Sequence, residues 1–251
     1  MHLIRLVWES LIMAVQAVTT NRLRASLSLL GITIGIFAII AVYTVVDSLE
    51  TNIRESLNSL GSDVIYIEKW PWTSEDGQDY PWWKYMNRPV ATLDEFDYIK
   101  DKSKSAEHIC FISAVGRRIE YKNNNVDRAD IFGVSNGFQD IRSFELQRGR
   151  YFNHVEAKTG RNVVVLGSKI AKELFEGANP IGKYVQLMGR KVMVIGVLEK
   201  EGKGTFDTFI LDEVAILPLQ YYMGFVDVRR EWANPSIWVQ AKKSVGAVSY
   251  T

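Results

Sequence analysis

Cysteine is almost absent from this 251-residue sequence: Cys110 is the only one, so no disulfide can close within the chain. It sits in an apolar run, HICFISAV at 108–115, and reads as a small buried core residue, not a reactive thiol. A domain of this size outside the cytoplasm does not need a disulfide, because its hydrophobic core suffices. Histidine is scarce too. His2, His108 and His154 are scattered, and none pairs at H-x-x-H or H-x₃-H spacing, so no zinc site can be argued. Excess charge of either sign is missing. Lys and Arg number 30 against 29 Asp and Glu, for a formal net charge of +1. Without a basic surplus to neutralise phosphates, nucleic acid is excluded as the expected partner.

The catalytic candidates fail as well. Gly177 through Lys183 fits G-x-x-x-x-G-K, but Tyr184 stands where a phosphate-binding loop places its Mg²⁺-binding Ser or Thr. The residues after it read as a strand, whereas that loop needs a helix N-terminus for the phosphates. Gly202-Lys203-Gly204 lacks a third glycine and a following helix, which rejects a dinucleotide site. Ser168, in LGSK at 166–169, reads as a helix N-cap and not a nucleophile. The acid pairs Glu75-Asp76 and Asp212-Glu213 read as solvated faces. The expectation is a non-enzyme with no catalytic residue, cofactor or metal.

What the sequence does have is Ser26 to Val46, SLSLLGITIGIFAIIAVYTVV, 21 residues without a charged side chain. At about 1.5 Å per residue the run reaches about 30 Å, the thickness of a bilayer's hydrocarbon core. It exceeds the roughly 7–15 residues of a signal peptide's apolar region and no A-x-A-like site follows, so it reads as a retained anchor. Arg5, Arg22 and Arg24 precede it with only Glu9 opposing, while Asp47 and Glu50 follow. The positive-inside rule then puts the N-terminus in the cytoplasm and the large domain outside. Before the span, Ile4, Val7, Trp8, Leu11, Val15 and Val18 recur at helical spacing, predicting an amphipathic helix. Such a helix suits the headgroup layer and is also compatible with docking a partner. Within the span, Gly31 and Gly35 form a G-x-x-x-G pair on one face, a candidate helix-packing surface.

The helical pattern does not stop at Val46. Leu49, Ile53, Leu57 and Leu60 continue it, and Gly61 suits the residue after a helix end. A stalk therefore runs to about Leu60, followed by a short strand at 64–67. A membrane helix joined rigidly to the first element of an outer domain can transmit force or tilt. Residues 69–89 hold Trp70, Trp72, Trp82, Trp83 and Tyr85 among Pro71, Pro81 and Gly77, a loop pattern. These aromatics form a candidate partner surface, with capping of the domain core as the alternative.

Beyond, Thr92-Leu-Asp-Glu95 is a capping box opening a helix over 93–103. Strands are predicted at 109–115, 117–122, 126–134, 162–166, 184–187, 191–198, 214–217 and 236–241, and a helix at 168–175. Asn123–Asn125 is predicted as the turn of a hairpin, and 136–146 as a short helix or irregular turn. No internal repeat or low-complexity tract is present.

Taken in order, NRLRASLSLLGITIGIFAII at 21–40, LGSDVI at 60–65, RGRYF at 148–152, NVVVLG at 162–167, NPIGK at 179–183 and VMVIGV at 192–197 resemble the permease subunits of MacB-type ABC transporters, in the FtsX-like permease superfamily. The resemblance implies an α+β fold: an N-terminal transmembrane helix and helical stalk, then a two-lobed extracytoplasmic domain. It implies a cytoplasmic amphipathic helix over 1–24, a transmembrane helix over 25–47 and a MacB-like periplasmic core domain over 48–251. Within that domain the stalk takes 48–60, an α/β lobe about 61–112 and 214–251, and an inserted β-rich lobe about 113–213. The implied function is an exporter permease in a bacterial inner membrane. ATP hydrolysis by a separate cytoplasmic ABC ATPase subunit would drive motion of the outer domain, to expel a peptide, a drug-like molecule or a lipoprotein. The implied partners are the membrane, that ATPase, a second permease copy, a periplasmic adaptor and an outer-membrane channel. The sequence ends at Thr251 before the family's later membrane helices, so the expectation is a truncated chain or one piece of a permease. The alternative is a membrane-anchored sensor or a regulator of cell-wall hydrolases.

Overall fold

The structure is a computed structural model and describes residues 2–59, 64–70, 82–201 and 211–242. Two compact units make it up, Met1–Arg54 and Glu55–Thr251.

The first unit is helical. Helix α1 spans His2–Thr20 and α2 spans Arg22–Ser59, with the break at Asn21. In 38 residues α2 is about 57 Å long at 1.5 Å per residue. Its described apolar side chains are exposed throughout, Leu30 at 60% and Phe37 at 71% among them. Arg22–Thr51 is long and apolar enough to cross a membrane. Several of its hydroxyls bond to its own backbone. Thr33 Oγ1 donates to the Leu29 carbonyl at 2.8 Å, Thr44 Oγ1 to Ile40 at 2.9 Å and Ser26 Oγ to Leu23 at 3.0 Å. Back-bonding of this kind satisfies polar groups that hydrocarbon cannot.

The second unit is a mixed sheet flanked by short helices. In chain order come β1 Val64–Ile67, α3 Trp82–Tyr85, α4 Leu93–Lys102, β2 Ala106–Tyr121, β3 Asn124–Val134, α5 Phe138–Ile141 and β4 Leu146–Gly149. There follow α6 His154–Thr159, β5 Val163–Leu166, α7 Ser168–Phe175, β6 Tyr184–Leu187, β7 Arg190–Leu198, β8 Val214–Pro218, α8 Leu219–Tyr222 and β9 Pro235–Ala241. The strands run in the order β1-β9-β2-β3-β8-β5-β7-β4, with β6 joining β2 to β7. Strand β2 makes the architecture. Its first half pairs with β9, its second half with β3, and at Ile119 and Glu120 it also takes β6 as a neighbour. The pairings β2-β3-β8-β5-β7-β6-β2 thus close into a ring.

Both faces of this sheet are covered, which is why β5 and β8 read as continuous apolar runs and not as alternations. Val164, Leu166, Ala215 and Leu217 enter one core with Ile170 and Leu174 of α7. Val163, Val165, Val214 and Ile216 enter the other with Phe138 and Ile141 of α5. Helix α8 seats its Tyr222 ring directly on Gly133, where an added Cβ would lie 2.3 Å from Tyr222 Cγ. The Tyr222 hydroxyl then reaches Ser113 Oγ at 3.2 Å. Cys110 is fully buried, and burial pushes its thiol up to about 12.

Several local expectations are corrected. The two strands expected at 109–115 and 117–122 are one, β2, because Gly116 stays in register with Asp130 and the irregularity falls at Arg117/Ile119. The hairpin turn is Lys122-Asn123 and not Asn123–Asn125, since Tyr121 pairs with Asn124. Gly167 is the N-cap of α7, and Ser168 lies inside the first turn with its Oγ donating to Asp212 Oδ1 at 2.9 Å. Asp212 is accordingly buried and not solvated; the Glu201 backbone N–H also donates to it, at 3.1 Å.

Candidate functional site

The candidate elements are helix α2 and, in the second unit, strand β1. Nothing interrupts α2 from Arg22 to Ser59, and only residues 60–63 separate it from β1. Strand β1 pairs antiparallel with β9 at four positions, Val64↔Gln240 through Ile67↔Ile237. Strand β9 in turn pairs with β2 from Ala106↔Ala241 to Ser113↔Pro235. Tyr66 packs edge-on to Trp238 at 5.0 Å between ring centroids, stitching β1 to β9 through side chains too. Strand β1 is thus tied through β9 to β2 of the ring.

Gly31 and Gly35 are four residues apart on α2, and a Cβ built at either meets nothing within 4 Å. The helix thus carries two open, flat positions on one face. The aromatics separate into different environments. Tyr85 is 2% exposed and belongs to the core, with the Arg88 guanidinium 4.4 Å over its ring, so it presents no surface to a partner. Trp83 is 59% exposed. Trp70 is half-buried, with Lys69 Nζ 5.3 Å from its ring and in an ion pair with Glu231 at 2.7 Å. Trp72 and the Trp82 side chain lie outside the described residues.

The RGRYF stretch is a corner, not a reactive site. Gly149 is left-handed at φ 79°, and a Cβ there would lie 2.2 Å from the Ile195 carbonyl oxygen. Arg150 donates through Nη1 and Nη2 to the two carboxylate oxygens of Glu156, at 2.6 and 2.8 Å. Glu156 also completes a capping box with Asn153 at the start of α6. The Arg150 hydrogen bonds, with the Asn153 backbone N–H and the Arg161 charge, hold the buried Glu156 carboxyl down at about 2. Spacing in the sequence missed this role, although N-x-x-E at 153–156 is a capping-box pattern.

The rejected phosphate loop, 177–183, is a turn held by Asn179 Oδ1 accepting from Ile181 N at 3.2 Å, and β6 follows it directly. His108 and His154, distant in sequence, line one cavity of about 620 Å³, with Asp140 3.7 Å from His108 Nδ1. Among the described residues no group of three His, Cys, Asp or Glu is arranged to hold a metal.

A helix long and apolar enough to cross a bilayer in one unit, and a two-faced mixed sheet with short helices in the other, define an α+β protein. Its kinship is specific: the chain belongs to the family of the MacB-like periplasmic core domain, whose profile matches residues 25–249. It is 29% identical over 193 residues to the macrolide export ATP-binding/permease protein MacB of Neisseria gonorrhoeae, covering 77% of this chain and 29% of the relative. It is 27% identical over 198 residues to the ABC transporter permease YknZ of Bacillus subtilis, covering 76% of this chain and 47% of the relative. The chain thus spans less than half the length of these curated relatives. The crystal structure of the periplasmic region of MacB from Actinobacillus actinomycetemcomitans shares its fold, with a TM-score of 0.60 and 17% identity over 77% of this chain and 81% of that one. By their names the first of these relatives is an export ATP-binding/permease protein and the second an ABC transporter permease.

Proposed function

We propose that the chain transmits movement: it couples ATP-driven conformational change at the cytoplasmic face to an extracytoplasmic domain that expels substrate. The observation that carries this reading is the unbroken helix Arg22–Ser59, which leads within residues 60–63 to β1 and its pairing with β9. A continuous helix resists bending between its ends, whereas a flexible tether would lose the motion. In this reading 1–24 lie at the cytoplasmic surface, 25–47 cross the inner membrane and 48–251 form the periplasmic core domain. The arginines Arg5, Arg22 and Arg24 ahead of the span support that orientation. ATP hydrolysis belongs to an ABC ATPase subunit, and this chain contributes no catalytic residue. Gly31 and Gly35 face another membrane helix, of the same permease or of a second copy. Trp70, Trp72, Trp82 and Trp83 offer a partner surface to a periplasmic adaptor that leads to an outer-membrane channel. The substrate is a peptide, a drug-like molecule or a lipoprotein.

The test is made in the intact permease. Replacing Ser56→Gly and Asn58→Gly weakens the helix by about 1 kcal/mol at each position. Export should fall at least several-fold with protein abundance and ATPase turnover retained. Unchanged export at normal abundance would refute transmission through this helix.

A further inference from the structure

The second unit contains a hollow that the permease reading does not use. It measures about 530 Å³ and lies between β4, the end of β7, the outer side of α7 and the turn after that helix. A volume of this size is typical of small-molecule sites. Cations from three separate stretches of chain converge on it: Arg148 of β4, Lys169 and Lys172 of α7, and Lys200 beyond β7. The one carboxylate in the lining is Asp212, which is buried and already accepts from Ser168 Oγ and the Glu201 backbone N–H. Lys169 is held by Glu213 at 2.8 Å. Arg148, Lys172 and Lys200 have no carboxylate partner among the described residues and remain available to a ligand. Between these charges the walls are apolar, formed by Ala171, Ala178, Pro180 and Val197.

Solvated lysines on a helix face are ordinary, but these four cations come from elements paired or packed only through the tertiary fold. They surround a concave apolar wall in a chain whose charges otherwise balance. We propose that this hollow binds a small molecule carrying a phosphate or carboxylate group on an apolar body. Arg148, Lys172 and Lys200 hold the anionic group, and the alanine, proline and valine walls cover the apolar part.

The test uses the full chain in nanodiscs of uncharged phosphatidylcholine, titrated calorimetrically against empty discs. The probes are 1-naphthyl phosphate, inorganic phosphate and 1-naphthol. One 1-naphthyl phosphate should bind per chain, at least tenfold more tightly than either fragment, and added salt should weaken it. The double variant Lys172→Gln/Lys200→Gln changes two exposed side chains, should keep the melting temperature and should lose at least tenfold in affinity. Ala178→Leu, which narrows the apolar side, should weaken 1-naphthyl phosphate and leave inorganic phosphate unchanged. No binding at millimolar probe overturns the proposal. So does an affinity within twofold of wild type in the double variant. Inorganic phosphate binding as tightly as 1-naphthyl phosphate overturns it too, by reducing the hollow to a site for bare anions.

Discussion

The two units of this chain solve the same problem in opposite ways. In the first, α2 leaves its large described apolar side chains on the outside and keeps the Thr33 and Thr44 hydroxyls on its own backbone, an arrangement suited to an apolar solvent. In the second, apolar side chains turn inward on both faces of a sheet, and strands find partners far along the chain, such as β1 with β9. The first unit is a local structure that, in the proposed reading, borrows its core from lipid. The second makes its own. The contrast says where each unit is vulnerable: one to a change of solvent or helix propensity, the other to the loss of a single methyl group or a buried ion pair.

The same truncation in each unit gives the sharpest separation. Leu166→Ala removes atoms from a site of zero exposure and should cost about 3 kcal/mol, within the range for buried leucines. Leu30→Ala on the span leaves no cavity, because lipid moves in, and should cost less than about 1 kcal/mol. Chemical denaturation of the full chain in nanodiscs checks both. Equal losses would erase the distinction.

A smaller effect concerns pH. The Glu156 carboxyl is held at about 2 against an ordinary value of 4.5, so it contributes stability above about pH 4.5 that is lost as pH falls toward 2. Half of the Arg150 side chain is exposed to solvent, which reduces the contribution to on the order of 1–2 kcal/mol. The domain's melting temperature should fall across that window, and Glu156→Gln should start lower and fall less. The span has no carboxylate from Ser26 to Val46, and its helical signal should stay level over the same range. A domain melt that is flat between pH 5 and 2 would contradict the role given to this pair.

Legibility followed the same division. Helix α2 was readable from Leu49, Ile53 and Leu57 continuing the spacing of the span, because helical hydrogen bonds are local and leave a local pattern. Strands β5 and β8 were readable as apolar runs, yet their partners were not. Closure of the ring depends on Ile119 meeting Leu187, a contact between residues too distant in sequence to leave a periodic trace. Asp212 looked like a surface acid because nothing near it in sequence shows Ser168 arriving to donate. Of the aromatic candidates, spacing could not tell the buried Tyr85 from the exposed Trp83, since both stand in one short helix. The cations around the hollow were likewise scattered over 148–200, and only the packing of α7 beside β4 and β7 gathers them.

The central claim is a helix that crosses the bilayer once and delivers the folded domain to the far side. Cys110 is fully buried, so the native chain offers an impermeant maleimide a nearly blank background. Single substitutions Ser10→Cys, Ile36→Cys and Trp83→Cys in the intact permease, each read against the unsubstituted permease, then report on the three regions. The account predicts that Trp83→Cys is labelled on intact spheroplasts, Ser10→Cys only after permeabilisation, and Ile36→Cys in neither condition. Labelling of Ile36→Cys from the aqueous phase, or labelling of Ser10→Cys and not Trp83→Cys on intact spheroplasts, would contradict it.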